Sequence, residues 1–373
     1  MSELDFEQLI ARLSKKGRTA PQMVQAMVEL TYGCNLRCVH CYNPTHEAKN
    51  ERSTEEVCRT LDQLAAEGCL WVGFTGGELF TRRDAMEILQ YAKRLGLVMT
   101  ILTNATMITS ALADQVQALK PYQLEISVYG ATPQTYERVT RVPGSFVKFV
   151  RGTDLLNERG IPILLKLVLM TLNVHELEPM RAFALTRQLP YKLSTEIHPK
   201  ADGSIEPLAY RLSPNETFEI WRRISGERQR EYRTKRLVLE DSGETSHLEE
   251  ERCGSAGQLF ACLCGKSSAA VTPYGMLNLC LSFHYPQYDL TKGGVAEGWK
   301  WLVELVAQAK PGPEYQCAEC PLAKYCTRGT IDGWLQQGVF DGPCIPYFRE
   351  VAEQKAEFLK ETAKTEGGRN GDK

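Results

Sequence analysis

The chain has 373 residues, of which 43% are hydrophobic and 24% are charged, so it contains enough apolar side chains for a folded core. Lys and Arg number 44 against 46 Asp and Glu, and the formal net charge of −2 lacks the basic excess of nucleic-acid-binding proteins. The sequence contains no run of about 18 apolar residues, and its acidic N-terminus is unlike a secretory signal. These features predict a cytoplasmic protein that binds neither nucleic acid nor a membrane.

Apolar segments and helical segments alternate between residues 27 and 198. The apolar segments are continuous runs, which are typical of strands buried on both faces of a parallel sheet. Ser53 and Glu56 predict a capping box at the start of the first helical segment. The pattern predicts an α/β fold, either a partial or complete β/α barrel or a doubly wound sheet. Strands are predicted at 27–31, 71–75, 98–103, 124–129, 163–170 and 193–198, and helices at 57–65, 84–95, 110–119, 146–158 and 176–188.

Residues suited to chemistry follow four of the predicted strands. Cys34 follows the first strand, and Gly76, Gly77 and Glu78 follow the second. Asn104 and His198 stand at the ends of two later strands. Because the carboxyl ends of parallel strands meet at one edge of a barrel or sheet, these residues are expected at one site.

The alternation ends near residue 221, and the chain then changes composition. A polar segment is followed by a segment rich in Cys, Gly and Pro, which favours a small domain stabilised by metal. The predicted organisation is an N-terminal extension at 1–26, a barrel at 27–221, a polar linker at 222–252, a cysteine-rich domain at 253–350 and a C-terminal helix and tail at 351–373.

Thirteen cysteines are unusual for a chain expected in a reducing compartment. Eleven of them cluster within residues 34–41, 253–280 and 317–344, which indicates metal binding and not disulfides. Cys58 and Cys69 stand apart and are predicted to be small apolar side chains of the core.

The first cluster has the spacing C-x3-C-x2-C at Cys34, Cys38 and Cys41. Three thiolates on a four-iron cube leave one iron open to a small molecule. Zinc prefers four ligands, usually in C-x2-C pairs, and His40 is poorly placed to share an ion with Cys41 beside it. The spacing therefore favours an iron–sulfur cluster over zinc.

This loop resembles the radical S-adenosylmethionine (SAM) superfamily, whose loop is C-x3-C-x-aromatic-C, with His40 in the aromatic slot beside the adenine. Gly76, Gly77 and Glu78 resemble the second motif of that family, which binds the methionine ammonium group. The resemblance implies a partial (β/α)6 barrel of the TIM type with a small cysteine-rich C-terminal iron–sulfur domain. It also implies a [4Fe–4S] cluster on the three cysteines. Reductive cleavage of SAM there would give a 5′-deoxyadenosyl radical that abstracts hydrogen from substrate.

Further SAM contacts follow from weaker resemblances. Asn104 stands where the family has the Asn of a Thr-Asn-Gly strand end. Ser127 stands where the family has the Ser of a Ser-Leu-Asp-Gly element, and Tyr129 replaces the Asp of that element. Lys166 lies inside an apolar strand, where it would contact the SAM carboxylate or substrate, or extend to water as a structural side chain. His198, at the end of the last predicted strand, is either a structural histidine or a contact to substrate.

The C-terminal cysteines resemble the SPASM extension of radical SAM enzymes, which carries auxiliary iron–sulfur clusters. Thr330 stands where the pattern has a cysteine, so the resemblance implies one or two auxiliary [4Fe–4S] clusters. The first would use Cys264 and Cys280 with either Cys262 or Cys253. It would be incomplete, carry a substitute ligand or be absent. The second would use Cys317, Cys320, Cys326 and Cys344, with zinc as the alternative metal.

The resemblance implies an enzyme that matures a ribosomal peptide by crosslinking or side-chain oxidation. The alternative is a small-molecule enzyme acting on a tetrapyrrole side chain, an aminoglycoside or another metabolite. Either would need a low-potential electron donor such as flavodoxin or ferredoxin. Leu281, where sulfatase-maturing relatives have Asp, disfavours formylglycine formation. A non-catalytic zinc-binding module remains a third hypothesis.

Overall fold

The computed structural model describes residues 20–231, 259–260 and 262–367, and these form two compact units. The barrel unit contains residues 20–211 and 263–305. The cysteine-rich unit contains residues 212–231, 259–260, 262 and 306–367. Most of the predicted N-terminal extension and polar linker, and the end of the tail, lie outside the described residues.

The barrel unit is organised on one nine-stranded sheet with the order β6-β5-β4-β3-β2-β1-β7-β8-β9. Neighbouring strands from β6 to β7 are parallel, and the last two pairs are antiparallel. The sequential order of the first six strands, each followed by helical crossover, is that of an open β/α barrel. The strands are β1 Gln25–Glu29, β2 Trp71–Thr75, β3 Val98–Thr103, β4 Gln123–Val128, β5 Ile163–Val168, β6 Tyr191–Ser194, β7 Ser268–Val271, β8 Met276–Asn278 and β9 Tyr288–Asp289.

Helices connect these strands and build the cysteine-rich unit. The first six described helices are α1 Thr54–Ala66, α2 Ala85–Arg94, α3 Ser110–Leu119, α4 Pro133–Thr140, α5 Ser145–Glu158 and α6 Leu177–Thr186. The later ones are α7 Pro214–Glu231, α8 Leu290–Gln308, α9 Thr330–Gln337 and α10 Pro346–Gly367. The predicted capping box is confirmed: Ser53 Oγ accepts from the Glu56 amide at 3.3 Å, and Glu56 accepts from the Ser53 amide at 2.9 Å. Helix α4 is absent from the sequence prediction, although Thr132 and Pro133 are a typical helix start.

The core of the barrel unit lies on the strands, whose apolar side chains are almost wholly buried. Phe74, Ile101, Ile126 and Leu165 each have 0% exposure. Burial of one such side chain stabilises a fold by about 1.5–3 kcal/mol. This explains why continuous apolar runs predict β2 and β3 to the residue, whereas β1 and β6 each begin two residues before their predicted starts. The predicted α/β barrel fold is confirmed.

The compact units divide the chain differently from the predicted domain ranges. The sequence pattern puts residues 263–305 in the cysteine-rich domain, but β7 pairs in parallel with β1, from Gln25 opposite Ser268 to Val28 opposite Val271. Residues 212–221, predicted in the barrel, belong to the other unit. The sequence pattern could not show this, because strand pairing across some 240 residues leaves no local signal.

The cysteine-rich unit is held together by contacts between α7 and α10. The Phe218 and Phe358 rings meet edge to face with centroids 6.0 Å apart, and the Thr217 and Tyr347 hydroxyls lie 2.8 Å apart. Short 3-10 turns at Cys317–Glu319 and Ala323–Tyr325 carry part of the cysteine motif. Across the described residues, no helix is both long enough and apolar enough to cross a membrane.

Candidate cluster and cofactor site

A cavity of about 370 Å³ opens at the carboxyl ends of the barrel strands. Residues from the loop after β1 and from the ends of β2 to β6 line it, so the topology brings together what the sequence places far apart. The predicted residues among its lining are Cys34, Cys38, His40, Cys41, Gly76, Gly77, Asn104, Ser127, Lys166 and His198.

Backbone hydrogen bonds hold the cysteine loop. The Arg37 and Val39 amides donate to the carbonyls of Thr140 and Val139, at 2.9 and 3.0 Å, at the end of α4. The Leu36 amide donates to Cys34 Sγ at 3.4 Å. These bonds fix the loop against the end of one helix.

The three thiols are close enough to influence one another, and each is partly removed from water. Burial raises the pKa of Cys34 to about 12, and the Cys41 charge adds to the shift. Burial also raises the pKa of Cys38 and Cys41, the former helped by both neighbouring thiols. Protonated at neutral pH when alone, these thiols would release protons on binding a cation, as metal ligands do. The donor set fits an iron–sulfur cluster.

Gly76 and Gly77 permit close packing between β2 and the segment that leads into the cysteine loop. A Cβ on Gly76 would lie 2.2 Å from the carbonyl oxygen of Thr31, and its φ of +142° also requires glycine. A Cβ on Gly77 would lie 2.4 Å from the Gly33 carbonyl oxygen. The sequence alone explains these glycines by approach to a ligand. In the structure they also permit approach to the cluster loop itself.

The Glu78 carboxylate is 1% exposed and binds the end of β3. It accepts hydrogen bonds from the Asn104 amide at 2.7 Å and from Thr103 Oγ1 at 2.9 Å. Burial raises the pKa of Glu78 to about 7, against these hydrogen bonds. Glu78 thus joins the second and third strand ends, and its binding of an ammonium group stays a prediction.

His40 has the environment of a neutral ring. Its Nδ1 is buried without a hydrogen-bond partner among the described residues, and the ring meets Tyr129 edge to face at 4.9 Å. Burial lowers the pKa of His40 to about 4, and the nearby Lys166 charge adds to the effect. An unpartnered nitrogen and an apolar ring edge beside the cavity fit the contact with an adenine that the resemblance implies.

Asn104 connects the β3 end to the cysteine loop. Its Nδ2 donates to Asn35 Oδ1 at 3.1 Å, and its Oδ1 accepts from Thr106 Oγ1 at 2.6 Å. Asn104 therefore orders the wall of the cavity as well as facing it.

Ser127 and Lys166 are paired neighbours on β4 and β5. Lys166 is partly buried, and burial lowers its pKa, with the charge of Lys192 adding to the effect. Lys192 itself pairs with Glu125 at 2.9 Å. Lys166 thus places a side-chain amine at the cavity, and its contact with SAM or substrate stays a prediction.

Sequence reasoning missed a buried polar cluster below the loop, centred on Glu29 of β1. Glu29 is 2% exposed and accepts hydrogen bonds from Tyr32 Oη and Tyr42 Oη, both at 3.2 Å. His284 Nε2 lies 3.2 Å from Tyr32 Oη and 3.9 Å from Glu29 Oε2. A carboxylate at the end of an apolar strand was the signal, and it resembles the signal that identified Lys166.

A second cavity in the barrel unit, of about 410 Å³, is lined by Cys264 and Cys280 together with Met27 and Trp71. Cys262 is exposed and belongs to the cysteine-rich unit. Cys253, the alternative ligand, lies outside the described residues.

Thr330, which replaces the expected cysteine, begins α9. Its Oγ1 donates to the Leu259 carbonyl at 2.6 Å, so the hydroxyl is already used within the unit.

The four remaining cysteines gather within the cysteine-rich unit. The neighbouring Cys317 and Cys326 help burial to raise the pKa of Cys344. Arg349 interacts electrostatically with both Cys344 and Cys320.

Throughout residues 20–231, 259–260 and 262–367, no three Cys, His, Asp or Glu side chains converge on a point that would hold one metal ion.

An open β/α barrel with three thiols at the strand ends defines a class of cluster-binding barrel proteins. Residues 28–184 match the radical SAM superfamily. The family implies a [4Fe–4S] cluster and SAM as cofactors.

Curated relatives include two kinds of enzyme. The chain is 30% identical over 163 residues to an AdoMet-dependent heme synthase of Methanosarcina barkeri, covering 43% of this chain and 46% of the relative. It is 31% identical over 162 residues to a PqqA peptide cyclase of Ruegeria pomeroyi, covering 43% of each. These matches span about half the length of the relatives. A longer match, 25% identical over 354 residues, is to the mycofactocin maturase MftC of Mycobacterium tuberculosis, and it covers 89% of this chain and 85% of the relative.

The fold resembles that of SuiB from Streptococcus suis, solved with its precursor peptide SuiA. The TM-score is 0.69 at 14% identity, with 91% of this chain and 79% of SuiB covered. This likeness covers more of the chain than the family match at residues 28–184 does.

Proposed function

We propose that this protein is a radical SAM enzyme that modifies a ribosomally made peptide. The observation that carries the proposal is the cavity at the strand ends, where three thiols, an unpartnered histidine nitrogen and a lysine meet. Bound there, the cluster and SAM supply one-electron cleavage of the sulfonium and removal of a hydrogen atom from substrate.

The chain's own residues hold and orient these cofactors. Cys34, Cys38 and Cys41 bind the cube and leave one iron open. The strand ends around Gly76 and Gly77 place backbone groups at the cavity, and the buried Glu78 fixes Asn104 beside it. His40 would pack against the adenine.

A peptide substrate is supported by the shape of the barrel interior. The cavities of about 370 and 410 Å³ share Leu102, Glu125, Leu281 and Ser282 in their linings, so they adjoin each other. Two adjoining cavities would suit a side chain on an extended peptide. The names of the PqqA cyclase and MftC, and the SuiA-bound SuiB structure, favour the same class of substrate.

A metabolite is the second candidate. Lys166 and the Glu125–Lys192 ion pair give this interior fixed charges, which suit a small polar or carboxylate-bearing molecule. The heme synthase relative favours this class. With either substrate, we expect a flavodoxin or ferredoxin as electron donor and a cytoplasmic location, where thiols stay reduced.

The proposal is tested by anaerobic reconstitution with iron and sulfide, followed by assay of 5′-deoxyadenosine from SAM and dithionite. The wild-type chain is expected to bind iron and form this product. The Cys34→Ala/Cys38→Ala/Cys41→Ala variant should lose all product, while Cys58→Ala should keep it. A colourless wild-type protein that holds only zinc at the loop would overturn the proposal.

The substrate class is tested with short peptides encoded beside the gene. A peptide that loses two hydrogens only when the chain, SAM and reductant are all present supports the peptide class. The peptide class is contradicted if every such peptide stays unchanged and SAM cleavage is stimulated instead by a metabolite of a pathway encoded beside the gene.

A further inference from the structure

Arg328 is a buried cation in the cysteine-rich unit, with 4% exposure. Its Nη1 donates to Cys317 Sγ at 3.1 Å, and its Nη2 donates to the Gly342 carbonyl at 3.1 Å. A more distant contact joins Nη2 to Gln337 Oε1 at 3.4 Å. The guanidinium is therefore fixed with one edge on a sulfur of the cysteine motif.

The charge of Arg328 is not balanced by an ordinary ion pair. Among the described residues its hydrogen-bond partners are a sulfur, a backbone carbonyl and a side-chain amide, and its Nε is buried without a partner. A buried charge is costly unless an opposite charge compensates it. A neutral thiol on Cys317 supplies no such charge, whereas a metal-bound thiolate does.

Cys317, Cys320, Cys326 and Cys344 could together supply the required negative charge by binding one cluster. Four thiolates around a [4Fe–4S] cube leave the centre anionic in both redox states, and one-electron reduction adds another negative charge. Gly333, whose Cβ would lie 2.7 Å from Arg328 Nη2, leaves the space that the guanidinium occupies. Position 328 falls between Cys326 and Thr330, in the part of the motif where this chain departs from the SPASM pattern.

We propose that Arg328 is the counter-cation of an auxiliary [4Fe–4S] cluster bound by Cys317, Cys320, Cys326 and Cys344, and that its hydrogen bond to Cys317 raises the reduction potential of that cluster. The inference rests on the proposed function only for the identity of the cluster. Hydrogen bonds to cluster sulfurs and nearby positive charge favour the reduced form, because they withdraw charge from the sulfur and stabilise the added electron. One electron enters the cluster from an external reductant, and no bond forms or breaks.

A tuned auxiliary cluster would serve as an electron acceptor. A substrate that has lost a hydrogen atom becomes a stable product by losing one electron and one proton, the proton passing to water. A cluster that holds the electron more tightly makes this step more favourable. Arg328 is thus a positioning and tuning residue, and it does not itself touch substrate.

The test isolates the auxiliary cluster in a full-length background with Cys34→Ala, Cys38→Ala, Cys41→Ala and Cys264→Ala. Iron, sulfide and zinc are counted, and the cluster is titrated potentiometrically with electron paramagnetic resonance detection. Arg328→Gln is expected to lower the equilibrium constant for reduction about tenfold, which is 59 mV for a one-electron couple. Arg328→Lys keeps the charge without the forked geometry and should give a smaller shift of the same sign.

Arg349→Gln is the matched control. Arg349 also lies near Cys344 and Cys320, but it is exposed and paired with Glu353 at 2.9 Å. Solvent screens such a charge, so this variant should titrate close to the parent. A shift as large as that of Arg328→Gln would assign the effect to net charge and overturn the specific role of Arg328.

The remaining outcomes also decide the question. The proposal is overturned if Arg328→Gln has the same reduction potential as the parent. It is also overturned if both Arg328 variants lose the cluster or the fold, because Arg328 would then have a structural role. Loss of the cluster from Arg328→Gln, with Arg328→Lys retaining it at a lowered potential, supports the proposal. A parent that holds zinc or no cluster, while the wild-type chain still cleaves SAM, overturns this inference and leaves the proposed function intact.

Discussion

Glu29 shows how one residue at the base of the cysteine loop responds to its surroundings. It is buried at the end of β1 and faces two tyrosine hydroxyls and a histidine. Burial raises the pKa of Glu29 from 4.5 to about 8, although the hydrogen bonds from Tyr32 and Tyr42 oppose the shift. Between about pH 4.5 and 8, the folded protein therefore keeps a proton on this carboxyl that the unfolded chain releases.

This difference predicts the sign of a pH dependence. Because the folded pKa is higher, the stabilisation from Glu29 is complete below about pH 4.5 and is lost as pH rises through about 8. A tenfold difference in proton affinity between the folded and unfolded states corresponds to about 1.4 kcal/mol of unfolding free energy. Glu29→Gln, which mimics the protonated carboxyl, should flatten the fall in unfolding free energy of the metal-free protein between these pH values.

Urea unfolding of both proteins across this range checks the prediction. Other groups near Glu29 that titrate, including Cys41 and His284, are present in both proteins, so the difference between them isolates Glu29. Parallel pH profiles for the two would contradict the assigned protonation of Glu29.

At the scale of elements, the cavity depends on how closely the end of β2 approaches the segment after β1. The Gly77 amide donates to the Thr31 carbonyl at 2.7 Å, and the Glu78 amide donates to the Gly33 carbonyl at 2.9 Å. These bonds place the second strand end directly against the start of the cysteine loop. A side chain at Gly76 would separate the two elements.

Gly76→Ala should therefore destabilise the chain by about 2–4 kcal/mol, because its Cβ would clash with backbone that cannot move independently. Gly96→Ala is the control: Gly96 also has a positive φ, of +79°, but no atom lies within 4 Å of the added Cβ. Its cost should be about 1 kcal/mol, from the backbone conformation alone. Equal losses of unfolding free energy would show that the close approach is unimportant.

At the scale of the whole molecule, the sequence predicted the strands of the sheet better than it predicted which segments belong to each compact unit. Continuous apolar runs such as Trp71–Thr75 identified buried strands, and β2 and β3 were predicted to the residue. Residue types and strand ends then indicated the cavity lining, because parallel topology fixes where such ends meet. The pairing of β7 with β1 and the contact of Arg328 with Cys317 were beyond prediction, since each joins residues without a shared periodicity. The partners of Glu29 were beyond prediction for the same reason, although its carboxylate at the end of an apolar strand was visible in the sequence.

Two compact units predict separable losses on metal removal. Cys317→Ala should reduce bound iron by about four atoms per chain, because one cube would be lost. It should also lower the thermal stability of the cysteine-rich unit, because loss of a bound cluster removes binding free energy from the folded state. The barrel unit keeps its own thiols, so some SAM cleavage should persist. Full iron content in this variant would contradict an auxiliary cluster at Cys317.

The strand β7 has a consequence for electron tunnelling, whose rate falls steeply with separation. Cys264 bridges to Ser268 at the start of β7, and Cys280 follows β8, so both thiols flank strands of the sheet that carries the Cys34 loop. A redox centre that includes these two thiols would have two ligands whose distance from the loop is set by the sheet. Electron exchange between such a centre and the loop would then depend on the geometry of that sheet.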